Sequence, residues 1–238
     1  MTDAGPGNGS SGALRASLAA QLAELRGVAV ADLPASLLDV SVRRVELPGG
    51  DAFLLRPADW EALRHDEGAA GRPVPWWARL WPSGRALAAT LARRPPDAGT
   101  RVLELGCGLA LPSLVAARAG AEVLATDGAT DAVAYAAHGL ALNEVEATVA
   151  HADWDTHGDR LTDGGPWDLV LAADVFYARA NVDAGVRLLP RLVAARGAFV
   201  LADPGRAGTR DFLAAARGRF ELSTRRDGDV ALHTLRPR

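Results

Sequence analysis

RVLELGCGLALPSL, residues 101–114, carries the reading of the whole chain. RVLEL has the length and apolar content of a buried strand, Gly106 and Gly108 break it, and LPSL opens a helix. Glycines at such a junction allow conformations closed to other residues and let backbone approach a ligand closely. In a doubly wound α/β sheet this is where ligands bind, outside the carboxyl ends of the strands. A dinucleotide fingerprint would place its third glycine at position 111, which is Leu111, and the chain has no lysine for a phosphate-binding loop. What stands is Glu104-x-Gly106-x-Gly108-x-Ala110.

From that turn outward the pattern is regular. LPSLVAARAG reads as a helix ending at Gly120, EVLATD as a strand and TDAVAYAAHGLALN as a helix. ATVAHAD and WDLVLAADVFY follow as strands, then a helix over about 180–195 and the strand GAFVLADPG. After a helix over about 208–217, FELSTRR and DVALHTLRP have no room for a helix between them and must pair antiparallel. The expected fold is therefore α/β: a Rossmann-like, seven-stranded, mostly parallel sheet with an antiparallel C-terminal hairpin and helices on both faces. Upstream, residues 1–12 read as a disordered tail and 13–75 as an extension. The extension holds a short helix, with Leu14, Leu18, Leu22 and Leu25 at helical spacing, and a hairpin over 40–56. Residues 76–238 form the main domain, whose first helix begins near Ser83 with Ser83 as N-cap.

Composition removes several chemistries. All 26 basic residues are arginine, so no catalytic lysine or lysine Schiff base exists. The same bias, with isoleucine absent and Ala, Gly and Pro abundant, fits a GC-rich bacterial genome. Cys107, the single cysteine, excludes an internal disulfide, and the scattered histidines offer no metal site. A net charge of -3 with interspersed signs leaves no nucleic-acid footprint. No apolar run is long enough to span a bilayer and the N-terminus has no secretory pattern, so a cytoplasmic location is expected, as a monomer or weak homodimer.

The turn resembles motif I of the seven-strand S-adenosylmethionine methyltransferases, D/E-x-G-x-G-x-G, with Ala110 at the last glycine position. That resemblance implies S-adenosylmethionine as cofactor and S-adenosylhomocysteine as product. Gly106, Cys107 and Gly108 would line the methionine and ribose, and Glu104 would orient the cationic amino group. Asp127, ending the second strand, suits the ribose hydroxyls, and the pair Asp153 and Trp154 suits the adenine amine and ring. Ala173, ending the fourth strand, completes the cofactor set.

W-W-A-R-L-W-P-S-G before the turn, A-D-V-F-Y after the fourth strand and D-P-G-R after the fifth form an uncommon combination. It resembles the protein-lysine and nicotinamide N-methyltransferase group, most nearly the electron-transfer-flavoprotein β-subunit lysine methyltransferases. In such enzymes the D-x-x-Y segment borders the target amine, which implies Asp174 for amine orientation and proton acceptance and Tyr177 for the pocket wall. Asp174 as a mere helix cap is the plainer alternative. Trp81 would cover the methionine end, while Trp76 and Trp77 either line the acceptor entrance or pack in the core. Arg206 would pair with Asp174, hold an acidic acceptor, or simply sit exposed on its turn. Ala178 and Arg179 stand where related enzymes carry acids, and an inward-pointing Arg179 would repel a lysine-rich target. The expected activity is N-methylation of a protein lysine or other protein amine. The alternatives are a small-molecule N- or O-methyltransferase, or a cofactor-binding regulator without turnover.

Overall fold

A computed structural model describes residues 8–154 and 156–238. The elements run α1 (Asn8–Arg26), α2 (Ala35–Leu38), β1 (Val40–Val45), β2 (Ala52–Pro57), α3 (Trp60–Ala69), α4 (Pro82–Arg93), β3 (Arg101–Leu105), α5 (Leu111–Arg118) and β4 (Glu122–Asp127). They continue as α6 (Thr130–Leu142), β5 (Thr148–His151), α7 (Gly158–Asp163), β6 (Trp167–Ala173), α8 (Arg179–Leu192), β7 (Val193–Asp203), α9 (Ala207–Ala216), β8 (Phe220–Asp227) and β9 (Val230–Pro237). Seven strands form one sheet in the order β5-β4-β3-β6-β7-β9-β8, and β1-β2 form a separate hairpin. Only β9 runs against its neighbours β7 and β8. Among the described residues no helix is long and apolar enough to cross a membrane.

The sheet order explains where a ligand would sit. The chain builds β3, β4 and β5 outward in one direction, then returns to lay β6 on the other side of β3. Helices leaving β3 and β6 therefore diverge to opposite faces, and the gap lies at the carboxyl edge between them. Strand β3 is buried on both faces, as a central parallel strand must be. Val102 faces a cluster shared with α1, α4, α5 and α6, while Leu103 and Leu105 face α7, α8 and α9.

The expected extension packs on this core rather than standing apart. Leu18, Leu22, Leu37, Leu54 and Leu55 join the same buried cluster as Val102 and Tyr135. The hairpin docks through Asn143, which accepts from Phe53 N at 2.9 Å and donates to Phe53 O at 2.6 Å, replacing the strand that edge lacks. Tyr135, fully buried in α6, donates its hydroxyl hydrogen to the Leu37 carbonyl at 2.5 Å.

Three local readings differ from the structure. The first helix starts at Asn8 rather than Ala13, so residues 8–12 are helical; residues 1–7 of the expected tail lie outside the described set. Helix α4 starts at Pro82 with Trp81 as N-cap, because proline at the first helical position has its φ preset and no N–H to satisfy. Ser83 is instead buried inside the helix. Helix α3 went unread: Asp59 caps it by accepting from Glu61 N and Ala62 N, but HDEG in its last turn looks like loop.

Tyr135→Phe leaves the Leu37 carbonyl unsatisfied in the core and is expected to cost about 1–2 kcal/mol. Urea unfolding should show a lower midpoint with an unchanged slope.

Candidate functional site

At the carboxyl edge of the sheet lies a cleft of about 710 Å³. Every residue expected from the sequence to contact cofactor lines it, as do Asp174 and Tyr177 on the acceptor side; Arg206 does not. The glycine turn supplies Glu104, Gly106, Cys107 and Gly108; the end of β4 supplies Asp127; the loop after β5 supplies Asp153 and Trp154. Ala173, Asp174 and Tyr177 enter from β6 and the loop after it, and Trp81 closes the rim.

The turn is held by three left-handed residues, Gly106 at φ +67°, Gly108 at +52° and Ala110 at +55°. A side chain on Gly106 would meet Val175 Cγ1 at 2.9 Å, and one on Gly108 would meet the Trp77 carbonyl at 3.1 Å. Both glycines are therefore required by backbone conformation and by space. Ala110, the almost fully buried N-cap of α5, carries a Cβ on left-handed backbone, so its departure from glycine strains the chain there. Cys107 is buried, and burial pushes its thiol well above the ordinary range, which leaves it an inert turn residue.

Two carboxylates brace the turn. Asp127 Oδ2 accepts from Gly108 N at 2.9 Å and Oδ1 from Ala129 N at 2.9 Å, leaving further lone pairs on each oxygen. Burial raises its pKa, against the lowering effect of those backbone donors. Glu104 Oε2 accepts from Ser113 N at 3.0 Å and Ser113 Oγ at 2.5 Å. Burial, opposed by these two bonds, pushes the Glu104 carboxyl up to about 8. Asp153 Oδ1 accepts from Thr156 N at 3.0 Å, so the surface-turn role and a place in the cleft wall coexist. Trp154 packs edge-on against Phe176, with centroids 6.0 Å apart.

The acceptor-side residues are tied together across strands. Asp174 has φ +59° and donates its N–H to the Ala202 carbonyl at 2.9 Å. Its carboxylate is gripped by Arg206, through Nε on Oδ1 and through Nη2 on Oδ2 at 3.1 Å. The helix-cap alternative for Asp174 fails, since α8 is capped by Ala178 without a side-chain bond. Of the three options for Arg206, the structure realises pairing with Asp174. Arg179 turns away from the cleft to Asp183 at 3.1 Å and toward Asp211 at 3.8 Å. Tyr177 is 57% exposed.

The tryptophans divide between rim and core. Trp81 donates Nε1–H to the Trp76 carbonyl at 2.8 Å, and Arg79 lies over both Trp60 and Trp81, at 4.8 and 5.0 Å. Trp77 packs inward on Tyr135 at 5.0 Å. Sequence reasoning missed one wall of the cleft, where Arg26 bridges Asp131 and Glu67, and Glu67 also meets Arg72 at 3.0 Å. These residues come from α1, α3 and α6 and the loop after α3, and no local pattern links them. Among the described residues no cluster of His, Cys, Asp and Glu could hold a metal ion.

The chain is similar to known methyltransferases. A family described as lysine methyltransferase matches residues 77–215. The electron transfer flavoprotein beta subunit lysine methyltransferase of Danio rerio is 37% identical over 58% of this chain and 54% of its own length. The histone-arginine methyltransferase METTL23 of Xenopus laevis is 33% identical over 41% of this chain and 44% of its own. The chain thus spans about half the length of the curated relatives it matches. Among solved structures, the 16S rRNA N2 G1207 methyltransferase RsmC of T. thermophilus, in complex with AdoMet and guanosine, superimposes with TM-score 0.62 at 20% identity. That match covers 84% of this chain and 51% of RsmC, and it shows a shared fold.

Two outcomes follow from the turn. Ala110→Gly should stay within about 1 kcal/mol of the parent, because relief of the left-handed backbone offsets loss of one buried methyl. Ala110→Val, adding a β-branch there, should lose more than about 2 kcal/mol, both read from thermal unfolding. Glu104 titrates at about 8 when folded against an ordinary 4.5. The stability it contributes is full below 4.5 and is lost as pH rises through about 8. A pH series of unfolding midpoints should therefore slope downward over that window, and Glu104→Gln should flatten the slope.

Proposed function

Because the chain belongs to the lysine methyltransferase family, we propose that it transfers a methyl group from S-adenosylmethionine to a lysine or other amine of a protein. The observation that carries this is the convergence of the glycine turn, Asp127, Asp153 and Asp174 on one cleft at the switch point of the sheet.

The residues present suit the cofactor. The cleft has the volume of an ordinary small-molecule site. Gly106 and Gly108 bare the backbone where a methionine chain would pass. Among the described residues Glu104 Oε1 accepts no hydrogen bond, and a cationic amino group there would favour the ionised form that burial now opposes. Asp127 keeps acceptor capacity for ribose hydroxyls while holding the turn, and Asp153 with Trp154 presents a carboxylate and an indole toward adenine. When bound, S-adenosylmethionine supplies an electrophilic methyl on a sulfonium. The protein's part is to hold the acceptor in line, exclude water and match the moving charge. Asp174 borders the acceptor, and Tyr177 forms the mouth through which a side chain would enter.

Arg179 bears on the choice of acceptor. Its engagement with Asp183 and Asp211 keeps its charge off the cleft wall, which removes the repulsion it would otherwise exert on a lysine-rich target. The arginine-only composition supports a bacterial enzyme, which on this reading works in the cytoplasm as a monomer or weak homodimer.

Incubation with labelled S-adenosylmethionine and cell lysate should place label in precipitated protein, released as methyllysine on hydrolysis. Label confined to soluble metabolites would replace this reading with small-molecule methylation, and cofactor binding without any product would make the protein a regulator. Asp174→Asn should lower turnover about 100-fold through loss of acceptor positioning. Cofactor affinity by calorimetry should change far less.

A further inference from the structure

The pairing of Arg206 with Asp174 cancels a charge that the motif alone would place at the acceptor site. The pair is built from two separated segments. Asp203, fully buried at the end of β7, accepts from Gly205 N at 2.6 Å and Arg206 N at 2.8 Å through Oδ1. Its Oδ2 accepts from Thr209 Oγ at 2.7 Å. The D-P-G-R turn is thereby clamped with the Arg206 side chain aimed across the sheet edge. On the other side, the left-handed backbone of Asp174 turns its carboxylate to meet the guanidinium. The Asp174 side chain is only 8% exposed and Arg206 is 41% exposed, so the carboxylate is sheltered beneath its partner. A bidentate fork of this kind is specific in geometry as well as charge.

Resting on the amine-methylating reading above, we propose that Arg206 is a specificity-determining residue that masks the charge of Asp174, so that the acceptor pocket takes its amine in the uncharged form.

The chemistry requires such a device. Only a neutral amine has the lone pair that attacks. Its nitrogen forms the new bond to the methyl carbon while the carbon–sulfur bond breaks, and that bond's electron pair stays on sulfur. The product nitrogen carries the positive charge and sheds a proton to water. A bare, sheltered carboxylate beside the acceptor would do the opposite of what is needed: it would bind the ammonium and hold its proton on nitrogen. With Arg206 in place the pair is neutral, so Asp174 no longer rewards an entering amine for being charged. Tyr177 and Asn181, the other cleft-lining polar residues of this loop and of α8, are uncharged types. The same neutrality disfavours a guanidinium acceptor, which enters the site charged. The site therefore selects a lysine-type amine over an arginine.

Two cofactor analogues test this without turnover. S-adenosylhomocysteine has nothing at the methyl position, whereas sinefungin carries an amine there and pushes a cation toward the acceptor site. Calorimetry on the full chain should give the two similar affinities. Arg206→Gln should tighten sinefungin relative to S-adenosylhomocysteine at least tenfold, by exposing Asp174 to that cation. Arg206→Lys, which keeps the charge but loses the fork, should fall between, and it still reports if the glutamine variant does not fold. Adding Asp174→Asn to Arg206→Gln should return the ratio to the parental one. A ratio unmoved by either Arg206 substitution, or a gain that survives Asp174→Asn, would overturn the charge mask while leaving the cofactor reading intact. Binding of neither analogue would overturn the cofactor reading itself and the proposal with it.

Discussion

The hydrogen bond from Gly108 N to Asp127 Oδ2, 2.9 Å long, is the constraint on which the site depends. It ties the turn after β3 to the end of β4, and the turn it holds has left-handed backbone at residues 106, 108 and 110. The turn then lies flat against Val175 and the backbone of Trp77, with no room for a side chain at either glycine. Three strand ends and the tryptophan segment thus meet at one edge. The side chains that line the cleft inherit their positions from it.

Charge within the cleft is managed by pairing and burial rather than by net sign. Glu104 is bonded to Ser113 and pushed toward protonation; Asp174 is matched by Arg206; Arg26, Glu67, Asp131 and Arg72 compensate one another. Each arrangement keeps a titratable group in a sheltered place without an uncompensated charge. The ion network has a second effect. It fastens α1 and α3 of the extension to the start of α6, so residues upstream of the family match form a wall of the cleft.

Most of the fold was legible because a parallel sheet buries its strands on both faces. That leaves short apolar runs between helices, as in RVLEL, EVLATD and WDLVLAA, and their alternation dictates right-handed crossovers. The acid and glycine positions could be placed because they occur at strand ends, where the chain must turn. Helix α3 and the start of α4 were misread because their signals were mixed: a good Asp59 cap ahead of a glycine-containing last turn, and a proline that takes the first helical position from the serine after it.

By itself the sequence determined the order of strands and helices, the edge of the sheet where a ligand belongs, and the residue types offered there, since these follow from local periodicity and turn chemistry. Only the tertiary structure decided which charges meet. Asp174 and Arg206 lie far apart in the chain, as do Arg26, Glu67 and Asp131. Electrostatic pairing depends on distance in space, falling steeply over a few ångströms, and no spacing along the chain encodes it. That Asp174 stands at the end of β6 could be read from its motif; that Arg206 grips its carboxylate could not.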